Sequence, residues 1–370
     1  MSREIFLLAG EASGDSRGAE LIRALRIQDA SLTFAGMGGP LMKQEGMEVV
    51  ADVHHLAVVG IVEVLKNYRF FKRTMNAVAQ AIHERKPLAV VGVDYPGFNL
   101  RLLERIKQGS PPQNRPRLIQ FVSPQLWAWD EKRKWKMAQY LDLVLCIFPF
   151  EPAMYKDTGL KAVFVGHPLI DKIPFATENR SSDRIALFPG SRQREIAVHM
   201  PLFRKLEKRL RGNGFDVAYA CSDDMQRTLV KKYQPSATLS DPASLQARAG
   251  AGVVCSGTAT LEAALGGLPI CVVYRVAWPT YWMGRALIRI PWLAMPNILL
   301  KRPLLREFIQ KDFTPDNVCT EILRLTQDLS ARMEMIKAYR DIRTLLGQGH
   351  APERAADEIL SLLGGREPAV

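Results

Sequence analysis

Asp94 closes the apolar run Val-Val-Gly-Val and is followed by Tyr95-Pro96-Gly97-Phe98-Asn99. A carboxylate at the carboxyl end of a buried strand faces a ligand site and could act as a general base. The same position suits the N-cap of a helix starting near Pro96, and spacing alone does not separate the two. Gly10-Glu11-Ala12-Ser13-Gly14-Asp15 follows the first apolar run and opens a helical pattern. Small residues there let backbone approach a ligand, and a helix N-terminus favours an anion. The stretch is not G-x-G-x-x-G and has no ribose-binding acid at the expected spacing, which argues against a dinucleotide site and leaves a substrate-facing loop or simply a tight turn. Phe188-Pro189-Gly190-Ser191-Arg192 repeats the strand-to-turn logic in the second half. The planar guanidinium of Arg192 suits a diphosphate, with Glu195 as a competing partner. Ser256-Gly257-Thr258-Ala259-Thr260-Leu261-Glu262 joins a Val-Val-Cys strand to an Ala-rich helix. Its hydroxyls and helix-start N–H groups form an anion cradle without a Walker lysine. Glu262, one turn in, could accept from ribose hydroxyls or simply complement the helix dipole. The second half therefore reads as a nucleotide-diphosphate site.

These motifs need rigid elements behind them. Short apolar runs ending in Gly, Ser, Asp or Pro recur at Ile5–Gly10, Leu88–Asp94, Leu118–Pro124, Asp142–Pro149, Val163–Pro168, Arg184–Gly190, Phe215–Ser222, Gly252–Ser256 and Pro269–Arg275, most followed by a helical pattern. Continuous Val/Ile/Leu runs alternating with helices predict parallel sheets of right-handed βαβ units. A polar stretch from Asp171 to Asp183 separates two α/β domains, residues 1–170 and 171–345. Thr314-Pro315 reads as an N-cap and first helical position, and residues 346–370 as a helical tail packing back on the N-terminal domain. Doubly wound sheets bind ligands outside their strands' carboxyl ends, so the two sheets are expected to face a central cleft.

Composition narrows the partners. Fifty Lys+Arg against 38 Asp+Glu give +12, which suits an anionic substrate, nucleic acid or membrane face. Five scattered cysteines without a C-x-x-C pair predict buried free thiols in a reducing compartment. Six histidines form no H-x-x-x-H or His/Cys cluster, which argues against structural zinc. The N-terminus reads as a first strand with no signal peptide, and no stretch reaches the 18 or so uninterrupted apolar residues of a spanning helix. Membrane contact would be peripheral: the run Leu56–Leu65 turns basic from Lys66 to Arg73. Val58, Val59, Ile61, Val62 and Leu65 could enter the acyl boundary, with Lys66 and Arg69 on anionic headgroups, or the run could be a core helix. Trp127 and Trp129, beside the basic Lys132–Lys136 segment, could stack on a ring, line a lipid pocket or pack in a core. Ser222-Asp223-Asp224 lacks D-x-D spacing and reads as a solvated loop.

Leu8–Asp15, Gly36-Met37-Gly38-Gly39-Pro40, Val59–Leu65, Asp94–Asn99, Ser123–Trp129, Phe188–Arg192, Ser256–Glu262, Pro296-Asn297-Ile298-Leu299 and Glu307-Phe308-Ile309-Gln310 together resemble the lipid-A-disaccharide synthase family, in that family's order, over roughly residues 5 to 320. The resemblance implies an inverting GT-B glycosyltransferase of two Rossmann-like domains. It would join UDP-2,3-diacylglucosamine to 2,3-diacylglucosamine 1-phosphate (lipid X), giving a β-1′,6-linked disaccharide 1-phosphate and UDP. The setting implied is the cytoplasmic face of the inner membrane, peripherally bound, with no cofactor, metal or nucleic acid. Homodimerisation through the tail is a further implication. The resemblance places UDP on Ser191, Arg192, Ser256, Gly257, Thr258, Ala259, Thr260, Glu262, Asn297, Glu307 and Gln310. Gly10, Glu11, Ser13, Gly14, Asn99 and Trp127 would face the acceptor, with Asp94 as base and Arg192 stabilising the departing UDP. One position departs from the pattern: some relatives carry a second acid where this chain has Gly97, which leaves open whether Asp94 or another carboxylate is the base. UDP-N-acetylglucosamine 2-epimerases and undecaprenyl-linked N-acetylglucosaminyl transferases share a Gly-rich loop with a downstream Glu but lack the Trp127/Trp129 block. A nucleic-acid-binding protein is disfavoured by the lack of RNP, helix-turn-helix and zinc signatures.

Overall fold

The computed structural model describes residues 3–52, 68–111, 115–178, 180–287 and 290–364. Two compact units divide the chain, Met1–Pro168 joined by the tail from Leu346, and Leu169–Leu345. In the first, β1 (Glu4–Ala9), β2 (Thr33–Gly38), β3 (Glu48–Asp52), β4 (Ala89–Val93), β5 (Arg117–Phe121), β6 (Leu143–Cys146) and β7 (Ala162–Phe164) form one sheet in the order β3-β2-β1-β4-β5-β6-β7. Adjacent strands are parallel throughout. Ile5–Ala9 and Val90, Val91 and Val93 are fully buried, which is why these strands are apolar runs without alternation. Winding reverses between β1 and β4, and that reversal makes their carboxyl ends the switch point where ligands bind.

The helix Ala12–Gln28 shows how two motifs become one structure. Asp15 is buried; its carboxylate accepts Gly39 N at 2.8 Å, Leu41 N at 3.0 Å and Met42 N at 3.1 Å. It therefore caps the short helix Pro40–Gln44 and ties the Gly10–Asp15 loop to Gly36–Pro40, a structural task worth about 1 kcal/mol. On the same helix packs the tail helix Ala351–Gly364. Arg354 Nε donates to Val165 O at 2.8 Å, anchoring the tail beside β7.

The second unit holds β8 (Ser181–Phe188), β9 (Asp216–Ala220), β10 (Thr238–Ser240), β11 (Ala249–Cys255), β12 (Ile270–Tyr274) and β13 (Glu307–Ile309), ordered β10-β9-β8-β11-β12-β13 and again parallel. Its winding reverses between β8 and β11. Thr314 is the N-cap of the helix Pro315–Gln327, its side chain accepting Asn317 N at 3.2 Å. The helix Leu329–Leu345 follows it directly, and the tail helix Ala351–Gly364 begins after Gly347 and Gly349. Asp223 caps the helix Asp224–Tyr233 by accepting Gln226 N at 2.8 Å, so the Ser222–Asp224 loop begins a helix.

All five cysteines are free and buried. Among the described residues, no helix is long and apolar enough to cross a membrane. Of the expected membrane-contact residues, Val58, Val59, Ile61, Val62, Leu65 and Lys66 lie outside the described residues. Arg69 stands exposed in the first turn of the helix Tyr68–Arg85.

Candidate active site

In the first unit, the ends of β1 and β4 bring together Gly10, Glu11, Asp94 and Tyr95. A Cβ at Gly10 would sit 2.1 Å from Tyr95 Cδ1, so only glycine lets the loop pass this ring. Glu11, the N-cap of the helix Ala12–Gln28, and Ser13, in its first turn, are exposed, whereas Gly14 is buried against the strands. Asp94 and Tyr95 are both left-handed, at φ 52° and 44°, and Val122 at the end of β5 has φ 72°. Such conformations cost on the order of 1–3 kcal/mol each and persist only where surroundings hold them. Two buried amides do the holding. Asn99 Nδ2 donates to Leu8 O at 3.0 Å and Asp94 O at 2.8 Å, and Gln120 Nε2 to Asp94 O at 3.0 Å and Val122 O at 3.2 Å. Asn99 is thus not on the surface of the substrate loop; it is fully buried and acts from beneath Asp94.

Tyr95, not Asp94, is the N-cap of the helix Pro96–Gly109. The Asp94 carboxylate instead accepts Arg17 Nη1 at 2.5 Å and its neighbour Tyr95 N at 3.0 Å, and is about a third exposed. Arg17 was not singled out in the sequence, where it stands as one more cation on an amphipathic helix. One strand over, Trp127 follows β5 and packs edge-on against Phe150 at 5.4 Å and Phe148 at 6.5 Å. Lys134 of the basic segment is not free for an anion, being paired with Asp157 at 2.9 Å and Glu131 at 3.1 Å.

His167, just beyond β7, packs against Phe148 with ring centroids 5.3 Å apart. Burial, aided by the Arg17 charge, pushes its imidazole down to about 3. Because the folded chain binds this proton more weakly than the unfolded chain, its contribution to stability is complete above pH 6.5. It is lost as pH falls from 6.5 toward 3, by about 1.4 kcal/mol per unit across that window. His167→Gln is expected to flatten the acid side of the stability curve, measured by urea unfolding at pH 7 and 4.5. An unchanged pH slope would contradict this.

In the second unit, the ends of β8 and β11 flank the switch point. Ser191 and Arg192 are exposed at the start of the helix Gln193–Gly212, and Glu195 Oε2 accepts Ser191 N at 3.3 Å and Arg192 N at 3.4 Å. Glu195 competes only loosely for the guanidinium, at 3.7 Å. Gly257, with φ 133°, caps the helix Thr258–Leu265 without a side-chain hydrogen bond. The N–H groups of Thr258 and Ala259 open the helix without an intrahelical acceptor beside the exposed Thr258 side chain, while Thr260 is buried and donates to Gly257 O through Oγ1 at 2.9 Å and through its N–H at 3.2 Å. Ser256 and Ala259 are partly exposed, and Glu262 is held by buried Gln246 Nε2 at 3.4 Å.

His199 joins this edge together and was missed from the sequence. Its signal was present: a histidine on the apolar stripe of Ile196, Met200 and Phe203. Nε2 accepts Arg275 N at 3.0 Å, so the proton sits on Nδ1, which faces Pro189 O at 3.2 Å and Cys255 Sγ at 3.1 Å. One buried ring thereby links the ends of β8, β11 and β12, and burial holds it below its ordinary pKa, in the neutral form.

Asn297, Glu307 and Gln310 are engaged within the unit. Glu307 accepts Leu293 N at 2.9 Å and Ala294 N at 3.0 Å, capping the helix Met295–Leu300. Asn297 Nδ2 donates to Leu305 O and Glu307 Oε1, both at 2.9 Å, and its Oδ1 accepts Leu305 N at 2.8 Å. Gln310 pairs both amide atoms with the Val276 backbone, at 2.8 and 3.1 Å. With these atoms occupied, the three side chains shape the loops after β12 and before β13.

A family model described as lipid-A-disaccharide synthetase matches residues 5–359. The lipid-A-disaccharide synthase of Myxococcus xanthus (strain DK1622) is 35% identical over 379 residues, covering 97% of each chain. That of Pseudomonas fluorescens (strain SBW25) is 35% identical, covering 99% of each chain. Among solved structures, the calicheamicin glycosyltransferase CalG4 superposes with a TM-score of 0.61 at 18% identity, covering 99% of this chain and 100% of the other. The UDP-GlcNAc 2-epimerase from Neisseria meningitidis, bound to UDP-GlcNAc, gives 0.55 at 12% identity, covering 97% of this chain and 100% of the other. These structures share with the chain the GT-B fold of two Rossmann-like domains.

Proposed function

The chain belongs to the lipid-A-disaccharide synthase family and is a glycosyltransferase of lipid A biosynthesis; from that premise we propose that it condenses UDP-2,3-diacylglucosamine with 2,3-diacylglucosamine 1-phosphate, with inversion and without a metal. The observation that supports this best is that, in each unit, the chemistry-bearing motifs stand at the two strand ends flanking the switch point. In the second unit, Arg192, Ser191 and the Ser256–Thr260 cradle take the diphosphate of UDP, and Glu262 takes ribose. Asn297, Glu307 and Gln310 act as positioning residues for the surrounding loops.

In the first unit, Gly10, Glu11, Ser13, Gly14 and Trp127 border the acceptor site. Asp94 takes the proton of the acceptor 6-hydroxyl as that oxygen attacks the anomeric carbon. The new C–O bond forms on the face opposite UDP, and the bond to the diphosphate oxygen breaks with its electron pair leaving on UDP. Arg192 and the first-turn N–H groups of Thr258–Leu265 stabilise the charge that accumulates there. Arg17 Nη1, 2.5 Å from Asp94 Oδ2, orients the carboxylate. The test is product analysis: donor and acceptor together are expected to yield a β-linked disaccharide 1-phosphate and equimolar UDP. An α linkage, or UDP without disaccharide, would contradict the reading.

Substrates of this kind reside in a bilayer, and we place a peripheral contact on the helix Trp278–Leu287. It has no buried residue and no acid in its first turn; Trp278, Trp282, Met283 and Leu287 are each at least half exposed, and Arg285 stands in its last turn. Exposed tryptophans with a nearby cation suit an anionic lipid–water boundary. Replacing Trp278 and Trp282 by Ser is expected to weaken partition onto phosphatidylglycerol vesicles about tenfold in co-sedimentation. Unchanged partition would remove this helix from the contact.

A further inference from the structure

Glu151 begins the helix Glu151–Tyr155, just after β6, and its carboxyl group is fully buried. Three N–H groups point at it. Ile147 N and Phe148 N reach Oε2 at 3.2 and 3.0 Å, and Trp127 Nε1 reaches Oε1 at 3.3 Å. Among the described residues no basic side chain forms an ion pair with it, and burial pushes the carboxyl up to about 8 against the pull of those donors. Burying such a group is costly, yet capping the Ile147–Phe148 turn needs one oxygen, which a glutamine would supply. What requires an acceptor on both oxygens is the indole of Trp127.

That indole is half-buried, held on one edge by Glu151 and packed against Phe150 and Phe148, whose rings stack at 5.8 Å. Trp127 follows β5, the neighbour of β4, and Phe148 follows β6, the next strand over, so the trio sits at the same carboxyl end of the sheet as Asp94. We infer that Glu151 is a positioning residue for the acceptor, fixing Trp127 so that its exposed face, together with Phe150, forms a rigid apolar wall for the acylated acceptor sugar. This inference rests on the function proposed above.

Glu151→Gln discriminates sharply. Its oxygen can keep the Ile147–Phe148 cap, but its amide N–H then opposes Trp127 Nε1–H. The expected result is an acceptor KM raised about tenfold, roughly the cost of one lost buried hydrogen bond, with donor KM unchanged. Trp127→Phe removes the opposing N–H, and it alone should raise acceptor KM. In that background Glu151→Gln should add nothing further, giving a double-mutant cycle with strong coupling. Equal penalties in both backgrounds, or an acceptor KM unmoved by Trp127→Phe, would overturn the inference; the second readout stands even where Glu151→Gln fails to fold. Wild-type chain that turns over the pair while Glu151→Gln leaves acceptor KM unchanged overturns this inference alone. Wild-type chain that turns over nothing overturns it together with the proposed function.

Discussion

Asp94→Asn is expected to lower kcat by about three orders of magnitude, the scale of a lost general base, while leaving UDP affinity and acceptor KM near wild type. Asparagine is the informative replacement because its one carbonyl oxygen can take the place of Oδ1 and keep the tie to Tyr95 N at 3.0 Å, although its amide group then stands where Oδ2 accepts Arg17 Nη1 at 2.5 Å and loses that contact. What disappears with it is the capacity to take a proton. Gly97 supplies the companion experiment. A Cβ there would meet nothing within 4 Å, so Gly97→Asp introduces a carboxylate without a clash. In the Asp94→Asn background it is expected not to restore turnover. Restoration would move the base to position 97, and near-normal kcat in Asp94→Asn alone would remove Asp94 from the proton transfer.

Arg192→Ala carries the second large effect. Its guanidinium is two-thirds exposed and only loosely paired with Glu195, so a diphosphate meets little competition for it. Loss of one preorganised group aimed at developing negative charge costs about 10²–10³ in kcat. UDP should also bind more weakly by calorimetry, because the same group contacts the ground-state diphosphate. Arg192→Lys keeps the charge but not the paired N–H geometry and should recover part of kcat. Wild-type kcat in Arg192→Ala would assign the leaving-group role to the helix N–H groups alone.

How far the residues revealed the molecule depends on whether a feature is local. β1, β4, β5 and β8 are apolar runs closed by turn residues, and their fully buried positions produce that signature. β2 stands outside those runs because Gly36 and Gly38 break the apolar pattern of Thr-Phe-Ala-Gly-Met-Gly, and β3, β10 and β13 because edge strands are short and half exposed. The motifs at both switch points were visible, since each strand-to-helix turn is written in consecutive residues. Partners were not. Asp15 and Gly39 are joined across two motifs, Arg17 meets Asp94 from 77 residues away, and His199 bonds an amide 76 residues distant. Such pairings are set by sheet order, which no local pattern encodes. For the same reason Asn99, Asn297 and Gln310 stood in the right motifs while their buried hydrogen bonds stayed hidden.

The most direct measurement is UDP release from UDP-2,3-diacylglucosamine in detergent micelles with EDTA present, with and without lipid X. The expected result is release only when lipid X is present, at a rate that EDTA leaves unchanged. Release without lipid X, or release abolished by EDTA, would contradict direct metal-free transfer to the acceptor.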